Sequence, residues 1–538
     1  MNQITPMPKI EPKIEIIPAT APFSEAQRSW LNGFLAGALG LDGSTALSPA
    51  QNGAVLAPAG DADDGEAPWH DQTMPIAERM KLAEGRPLRR RLMAAMAQQD
   101  CGQCGYNCSD YSDAIANRSE ARLNLCVPGG KETARMVKAL YEEIDKAPAA
   151  AKPTVAATPA TVSVVVTEPG RSRDNPVAAT FLSRRLLNKP GSEKETWHIE
   201  FDLGEAGLDY VVGDSFGIFA KNDLGLVDQI IALLGASHMT EVNGKPLRQC
   251  LLEDVSLSPA PDSLFELISF ISGGATREKA RRLAQGEDPD GDAATLDVMA
   301  VLQKFSSVRP HPEAFVEALE PLQPRLYSIS SSHNATPGKL SLTVDCVRYV
   351  IGKRKRLGLA STFLAERINP GDKLHVYVQK AHGFALPADP KTPIIMVGPG
   401  TGIAPFRAFL LDRKATGAPG KNWLFFGHQR SDCDFFYADE LNAMKTSGLL
   451  TRLSLAWSRD GDKKFYVQDR MREVGREVWT WLTEGAHLYI CGDAKRMAKD
   501  VERALVDIVA QFGARSTDEA VSFVADLKKK GRFQLDVY

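Results

Sequence analysis

From residue 391 onward the chain repeats one pattern, in which a short apolar run is followed by glycine or by a helical segment. The runs stand in TPIIMVGPGTG, NWLFFGHQ, LTRLSLAWSR and AHLYICGD. Short apolar strands that alternate with helices are typical of a parallel sheet covered on both faces. We therefore expect a parallel α/β domain over residues 391–538.

Composition excludes several classes of protein. The 538 residues carry 64 Lys and Arg against 67 Asp and Glu, a formal net charge of -3, whereas a duplex-binding protein needs a strong basic excess. No apolar run reaches the roughly 18 residues that a membrane helix needs, and the first residues, MNQITPMPKIEPKIEIIP, do not resemble a signal peptide. We expect a cytoplasmic multidomain protein with no nucleic-acid partner and no membrane partner.

Linkers and periodicity divide the rest of the chain. The predicted segments are a disordered tail with an amphipathic helix (1–45), a linker (46–75), a cysteine-rich domain (76–148), a second linker (149–175) and a strand-rich domain with a helical insertion at about 223–310 (176–390). The Ala/Pro/Thr composition of the second linker is typical of a semi-extended tether. The amphipathic helix has no periodic neighbour, so its apolar face docks either on the chain's own core or on another subunit.

Four of the eight cysteines lie within 26 residues, with the spacing C-x2-C-x3-C-x17-C. They are Cys101, Cys104, Cys108 and Cys126. Such a cluster in a reducing compartment indicates a metal site, and three crowded thiols with a distant fourth favour a 4Fe-4S cluster over the paired C-x2-C spacing of zinc sites. Zinc stays open as the alternative. The segment CGQCGYNCSDYSDAIANRSEARLNLCVPGG also resembles a small iron-sulfur domain of bacterial electron-transfer proteins.

Two motifs in the strand-rich domain indicate a flavin. In RLYSISSS, Arg325 offers fixed donors to a diphosphate, and Tyr327 either lies against a flavin ring or is a core aromatic. The later GLASTFL opens a helix at Gly358, Ala360 and Ser361, where free N–H groups can hold a pyrophosphate. Together the motifs predict an FAD site.

A second nucleotide site is predicted in the last domain. GPGTGIAPFR follows the apolar run IIMV directly, and a strand, a glycine turn and a helix in that order let the backbone approach a dinucleotide. Ser458, Arg459 and Lys464 offer a hydroxyl and two cations for a 2'-phosphate, while Tyr466 can stack on adenine. NADPH is therefore expected rather than NADH, although the two cations can also be a surface basic pair.

The motifs RLYS, GLAS, GPGTGIAPFRAF, AWSRD, YVQD, CGDAKRMAKDV and LDVY resemble, in order, the reductase half of the diflavin reductases, and among them the flavoprotein subunits of NADPH sulfite reductases. The resemblance covers 176–538 and implies an NADPH-dependent oxidoreductase. The implied FAD contacts are Arg325, Leu326, Tyr327, Ser328, Thr343, Val344, Asp345, Tyr349, Gly358, Leu359, Ala360, Ser361 and Tyr538. The implied NADPH contacts are Gly400, Thr401, Ser458, Arg459, Lys464, Phe465, Tyr466, Val467, Gln468 and Asp500.

The same resemblance implies the fold class and the reacting centre. The fold would be multidomain, α+β and α/β: a small helical iron-sulfur domain, an antiparallel β-barrel FAD domain with a helical insertion, and a parallel α/β NADP domain. Ser328, Cys491 and Asp536 match the family's positions around the nicotinamide, where they orient the ring during hydride transfer. Cys491 can equally be an inert strand-end thiol. Tyr538 is implied as a lid over the flavin.

One departure from the family precedes residue 176. The resemblance implies an FMN-binding flavodoxin domain there, and the cysteine-rich segment occupies its place. We therefore expect electrons to pass from NADPH to FAD to 4Fe-4S and then to a terminal reductase. The expected partner is the siroheme subunit of assimilatory sulfite reductase; assimilatory nitrate reductase is the rival, and a zinc-bound module that only recruits the partner is a third alternative.

Overall fold

The computed structural model describes residues 67–72, 74–99, 104, 106–146, 168–381 and 383–538. The predicted tail with its amphipathic helix, most of both predicted linkers, and Cys101 lie outside the described residues. In the part that is described, the predicted mixture of an antiparallel and a parallel sheet is confirmed. A search of the same residues finds no helix with the length and apolarity required to cross a membrane.

The described residues of the cysteine-rich segment form four α-helices. They are α1 (Ile76–Leu82), α2 (Leu88–Ala95), α3 (Cys108–Ala116) and α4 (Gly130–Lys146), with a 3-10 turn at Val127–Gly129 before α4. The side chain of Asn107 caps α3 by accepting the Asp110 N–H at 2.7 Å. Leu92, Tyr111 and Leu125 are almost fully buried in a core that also contains Cys108. The segment thus has a small core of its own, with a cysteine in it.

Six antiparallel strands form the next sheet, in the order β6-β3-β10-β1-β2-β7. They are β1 (Val177–Leu186), β2 (Thr196–Asp202), β3 (Ser215–Ile218), β6 (Arg325–Ser328), β7 (Lys339–Asp345) and β10 (Lys373–Gln379). A bridge between Ile329 and Leu342 joins the two edge strands, as a barrel requires. A hairpin of β8 (Arg348–Ile351) and β9 (Arg354–Leu357) precedes α11 (Leu359–Thr362), and a π-helical turn, Phe363–Arg367, follows it.

A helical insertion with its own core lies between β3 and β6. It contains α5 (Leu224–Leu234), the short strands β4 (Glu241–Val242) and β5 (Lys245–Pro246), α6 (Leu247–Glu253), α7 (Asp262–Ile271), α8 (Gly274–Ala284), α9 (Val298–Lys304) and α10 (Pro312–Glu317). Asp223 caps α5, which ends at Gly235 in the left-handed conformation (φ +68°). The sequence pattern placed the end of the insertion at about residue 310. The helices extend further, since α10 begins at Pro312.

The last domain is a five-stranded parallel sheet in the order β13-β12-β11-β14-β15. Its elements are β11 (Ile394–Val397), α12 (Ile403–Ala415), β12 (Asn422–His428), α13 (Ala438–Thr446), β13 (Arg452–Trp457), α14 (Val467–Glu473), α15 (Gly475–Thr483), β14 (His487–Gly492), α16 (Met497–Phe512), α17 (Thr517–Lys529) and β15 (Phe533–Val537). All four residues of β11 are fully buried, because helices cover both faces of the sheet.

The cysteine-rich segment packs against the helical insertion through charged contacts. Arg135 on α4 makes two hydrogen bonds to the carboxylate of Asp262 on α7, at 2.8 and 2.9 Å. Lys131 lies 3.8 Å from the same carboxylate and 5.6 Å from the ring centroid of Phe265. We call these four residues the docking contact. It holds the cysteines next to the strand-rich domain.

Candidate functional site

A cavity of about 1130 Å³ is lined by the antiparallel sheet, the helical insertion and the parallel domain. Typical ligand pockets measure about 300–1,000 Å³, so this space suits an extended dinucleotide. Its wall includes every residue that the sequence predicts for FAD: Arg325, Leu326, Tyr327, Ser328, Thr343, Val344, Asp345, Tyr349, Gly358, Leu359, Ala360, Ser361 and Tyr538. Residues from β6, β7, the β8–β9 hairpin, α11 and the end of β15 thus face one space.

Part of this wall is basic. Burial lowers the pKa of Arg325 and of Arg367, both of which line the cavity. The Nε of Arg367 has no hydrogen-bond partner among the described residues. Arg354 and Arg356 also line the cavity, but they pair with the buried carboxylate of Asp297. Both guanidinium groups are half-buried, and Arg367 donates to backbone carbonyls and to Thr362 rather than to a carboxylate. Arg325 and Arg367 therefore fit a bound diphosphate.

The three residues predicted at the nicotinamide lie together. The Ser328 hydroxyl donates to Asp536 Oδ2 at 2.6 Å, and the Cys491 thiol donates to the same oxygen at 3.5 Å. Cys491 and Asp536 are direct neighbours across the parallel pair β14 and β15. Burial raises the pKa of the Cys491 thiol and of the Asp536 carboxyl. The site thus contains one carboxyl group that accepts hydrogen bonds from a hydroxyl and a thiol. Such a group can stabilise positive charge that develops on a nicotinamide.

Tyr538 has an anchored backbone and an exposed ring. Its N–H donates to the Gly492 carbonyl at 3.1 Å, while 58% of the side chain is exposed and its hydroxyl lies 2.7 Å from Thr401 Oγ1. Thr401 belongs to a turn that needs glycine, because a Cβ on Gly402 would lie 2.1 Å from the Cys491 carbonyl oxygen. An exposed ring on a fixed backbone suits the predicted lid, which stays a prediction.

The residues predicted for NADPH follow the carboxyl ends of the parallel strands, the usual ligand side of such a sheet. Gly400 and Thr401 follow β11, Ser458 and Arg459 follow β13, Lys464, Phe465, Tyr466, Val467 and Gln468 lie at the start of α14, and Asp500 lies in α16. The Ser458 N–H donates to the His428 carbonyl at 2.9 Å, and Arg459 pairs with Glu193. The Val467 side chain is 2% exposed and packs in the core, so only its backbone can face a ligand.

Three of the four predicted metal ligands line one small cavity: Cys104, Cys108 and Cys126. The Ala97 N–H donates to Cys126 Sγ at 3.4 Å, and the Cys104 thiol donates to the Tyr106 carbonyl at 3.3 Å. Burial raises the pKa of Cys104 to about 11 and also raises the pKa of Cys126. Thiols in such surroundings ionise only beside a compensating positive charge, which a bound metal supplies.

The predicted four-thiolate set is not assembled within the described part of the chain. Cys101 lies outside it, and the described residues contain no group of three or more His, Cys, Asp or Glu arranged to hold a metal ion. The three thiols that are described line one cavity, and the Ala97 N–H donates to one of them. The 4Fe-4S cluster therefore stays a prediction.

The thiol cavity and the large cavity share a wall. Ala97, Gln99 and Pro128 line both spaces. Val127 and Gly129, on either side of Pro128, also line the large cavity, and Val127 follows Cys126 directly in the chain. We call Ala97, Gln99 and Pro128 the shared wall. The same three residues thus line both the thiol cavity and the space predicted for FAD.

Several residues that shape this region were missed by the sequence analysis. Glu193 pairs with Arg459, Asp297 pairs with Arg354, and Arg79 is a buried guanidinium in the wall of the large cavity. Each contact joins residues that are distant in the chain. The only signal in the sequence for such ion pairs is charge complementarity. With 64 basic and 67 acidic side chains, it does not identify which of them pair.

Comparison with known proteins first defines a class. Residues 169–363 match the family model described as "FAD binding domain", and residues 396–503 match the one described as "Oxidoreductase NAD-binding domain". The first range covers the helical insertion and the antiparallel sheet except β10, and the second runs from the middle of β11 into α16. Fold, cavity and matches together define an oxidoreductase with separate domains for FAD and a nicotinamide dinucleotide.

Curated relatives then identify the family. A sulfite reductase (NADPH) flavoprotein alpha-component from Photorhabdus laumondii is 43% identical over 371 residues, which are 68% of this chain and 61% of the relative. Its counterparts from Escherichia coli and Klebsiella pneumoniae are each 40% identical over 79% of this chain and 70% and 71% of their own lengths. The chain belongs to this family of NADPH oxidoreductases. It spans less than two thirds of the Photorhabdus relative.

Proposed function

We propose that this protein is a cytoplasmic electron-donating flavoprotein that delivers electrons from NADPH to the siroheme subunit of an assimilatory sulfite reductase. Its family supports the choice of sulfite reduction, because the relatives carry that activity in their name. In this proposal a 4Fe-4S cluster held by Cys101, Cys104, Cys108 and Cys126 replaces the FMN domain that the family resemblance implies. The domains are those of the sequence analysis, with the cluster domain at 76–148.

The chemistry divides between bound groups and side chains. When bound, FAD accepts a hydride and releases its two electrons singly, with the proton going to solvent, and the 4Fe-4S cluster carries single electrons. Arg325 and Arg367 would hold the diphosphate of FAD. Ser328, Cys491 and Asp536 would orient the nicotinamide, and Ser458, Arg459 and Lys464 would select the 2'-phosphate. Tyr538 would cover the flavin until the nicotinamide enters.

The shared wall is the observation that carries the electron path. If FAD fills the large cavity and a cluster fills the thiol cavity, Ala97, Gln99 and Pro128 touch both. The docking contact joins the cysteine-rich segment to the helical insertion through side chains, in addition to the linker at 149–175. Electrons then need to cross only the shared wall. The backbone of Val127 connects Cys126 to Pro128, which belongs to this wall.

The cofactor content tests this function directly. We expect the purified protein to contain FAD, iron and acid-labile sulfide, with four iron atoms per chain. NADPH should bleach the flavin absorbance first and the cluster absorbance afterwards. A yellow protein that contains zinc and no sulfide would overturn the cluster and leave FAD to reduce the partner directly.

The terminal acceptor is tested by turnover. We expect NADPH oxidation when the protein is mixed with a siroheme sulfite reductase subunit and sulfite, and only background oxidation with assimilatory nitrate reductase and nitrate. The same protein samples should reduce ferricyanide equally in both mixtures. Turnover with nitrate reductase alone would contradict the sulfite assignment while preserving the electron path.

Arg459→Ala is expected to raise the KM for NADPH about tenfold and to leave the KM for NADH within about twofold. A hydrogen bond to a charged group contributes about 1.5–3 kcal/mol, and solvent screening of the half-exposed Arg459 favours the lower end. Steady-state reduction of ferricyanide measures both constants. As a control, Glu193→Ala removes the carboxylate that competes for Arg459 and should lower the KM for NADPH or leave it unchanged. Equal effects on both nucleotides would remove the 2'-phosphate role.

Asp262→Lys is expected to slow electron transfer from flavin to cluster by roughly tenfold. The substitution places a third positive charge beside Lys131 and Arg135, and like charges at an interface cost several kcal/mol. Stopped-flow measurement of cluster bleaching after NADPH reports the step. Glu266→Lys makes the same charge change at an exposed position of the same helix and should leave the rate unaltered. Equal rates in both variants would mean that the docking contact does not serve transfer.

A further inference from the structure

His428 is the last residue of β12 and lies at the carboxyl edge of the parallel sheet. In that sheet β12 lies between β11 and β13, and neighbouring strands are roughly 5 Å apart. The turn at Gly400–Gly402 follows β11, and the proposed 2'-phosphate residues Ser458 and Arg459 follow β13. A nucleotide that contacts both loops must therefore cross the end of β12, where His428 lies.

Two contacts place His428 beside both loops. A Cβ added to Gly400 would lie 3.7 Å from the Cδ2 of the ring, and the His428 carbonyl accepts the Ser458 N–H at 2.9 Å. The side chain keeps 11% of its surface exposed. In an imidazole, Nε2 is bonded to Cδ2, so both belong to the ring edge opposite Nδ1. This edge is the one beside the glycine turn.

The other edge of the ring lies against Asp434. Nδ1 is 3.1 Å from Oδ2 of this fully buried carboxylate. The carboxylate also accepts from Asn188 Nδ2 at 2.8 Å, from Ser192 Oγ at 2.5 Å and from the Arg430 N–H at 3.0 Å. Asn188 and Ser192 lie between β1 and β2, so the strand-rich domain takes part in holding the carboxylate that faces the ring.

The surroundings of the ring decide which nitrogen carries the proton. Burial raises the pKa of Asp434, but the hydrogen bonds from Ser192 and Asn188 help to hold it below its usual value. Burial lowers the pKa of His428. A carboxylate beside a neutral imidazole places the proton on Nδ1 and leaves Nε2 as an acceptor. Between its diphosphate and its 2'-phosphate, NADPH offers one donor, the 3'-hydroxyl of the ribose.

We infer that His428 binds NADPH by accepting a hydrogen bond at Nε2 from this 3'-hydroxyl, and that Asp434 positions the ring for the contact. The inference rests on the proposed function, since it takes NADPH to extend from the Gly400 turn to Ser458 and Arg459. NADH has the same ribose without the phosphate. The contact therefore serves both nucleotides, in contrast to the proposed role of Arg459.

The test is steady-state reduction of ferricyanide by the full-length protein with either nucleotide. We expect His428→Ala to raise the KM for NADPH and the KM for NADH by the same factor, about three- to tenfold, because one neutral hydrogen bond is lost. The kcat should stay within about twofold, since a contact made equally in the bound state and in the transition state changes only KM. His487→Ala, at a half-buried position on the amino edge of the same sheet, should leave both constants unaltered.

A second variant tests the positioning role of Asp434. Asp434→Asn replaces one carboxylate oxygen by an NH2 group, which cannot accept the Nδ1 proton, so the KM for both nucleotides should rise. In the double variant with His428→Ala, KM should rise no further than in His428→Ala alone, because the contact is already lost. If Asp434→Asn does not retain FAD, Ser192→Ala removes one donor from the same carboxylate and should show the same pattern with a smaller increase. Effects that multiply in the double variant would overturn the positioning role.

Each outcome for His428 decides the inference. Wild-type KM values in His428→Ala would overturn it, and so would an increase for NADPH alone, which would place His428 at the 2'-phosphate. If His428→Ala does not retain FAD, His428→Leu replaces it under the same criteria, because leucine fills most of the space of the ring, whose centroid lies 4.8 Å from that of Phe436. Loss of FAD in both variants would show a merely structural residue. An Arg459→Ala protein with unchanged preference for NADPH would instead overturn the proposed placement of the nucleotide, whatever the His428 variants show.

Discussion

Replacing Cys104 by serine is expected to abolish electron delivery to the terminal reductase while NADPH-dependent reduction of ferricyanide continues. Loss of an outer-shell partner alone costs about 10- to 100-fold in metal affinity, so loss of a ligand should reduce partner turnover at least a hundredfold. Cys104 lines the thiol cavity, and its thiol is bonded within its own segment, to Tyr106. The flavin and nicotinamide residues should therefore keep their geometry.

The readouts separate a broken path from a damaged protein. Sulfite-dependent NADPH oxidation should be lost, flavin content and ferricyanide turnover should match the wild type within about twofold, and iron and sulfide should fall. Cys250→Ser is the matched control, because the Cys250 thiol also donates to a backbone carbonyl, that of Val242, but lies inside the helical insertion. It should leave all five readouts unchanged. Partner turnover that survives in Cys104→Ser would remove the cluster from the path.

The parallel half of the fold could be predicted from local pattern alone. β11, whose sequence is IIMV, is fully buried, and the glycine turn that follows it is required by the close approach of Gly402 to the Cys491 carbonyl. Burial on both faces produces continuous apolar runs, and these are visible in the sequence. The helical insertion was harder to delimit, because helix α10 follows residue 310 as a short element after a loop.

The candidate site depended on more than local pattern. Ser328 and Asp536 are 208 residues apart and meet through a hydrogen bond, so only resemblance to a family could relate them. The shared wall depends on the docking contact, where Arg135 meets Asp262 across 127 residues. Arg79 is the clearest omission: arginine is normally exposed, and nothing in IAERMKL reveals that this side chain is buried in the wall of the large cavity.

Asp536→Asn is expected to lower the rate of flavin reduction by NADPH about 10- to 100-fold. Hydride loss develops positive charge on the nicotinamide, and a preorganised charge at such a point commonly contributes a factor of that size or larger. Asparagine keeps the shape and can still accept the Ser328 hydrogen bond, so the change isolates the carboxylate charge. The KM for NADPH should change little, because the residues proposed for the 2'-phosphate lie at the end of β13. Single-turnover stopped flow measures the rate.

The pH dependence of this rate gives a sharper test. Burial raises the pKa of Asp536, so its carboxylate is protonated at a higher pH than that of an exposed aspartate. If the carboxylate form assists hydride transfer, the wild-type rate falls as the pH drops through this raised pKa, and Asp536→Asn loses that acid limb. Asp526→Asn, at an exposed ion pair with Lys530, should retain both the rate and the limb. An unchanged rate, or an acid limb that persists in Asp536→Asn, would show that the nicotinamide reacts without help from this charge.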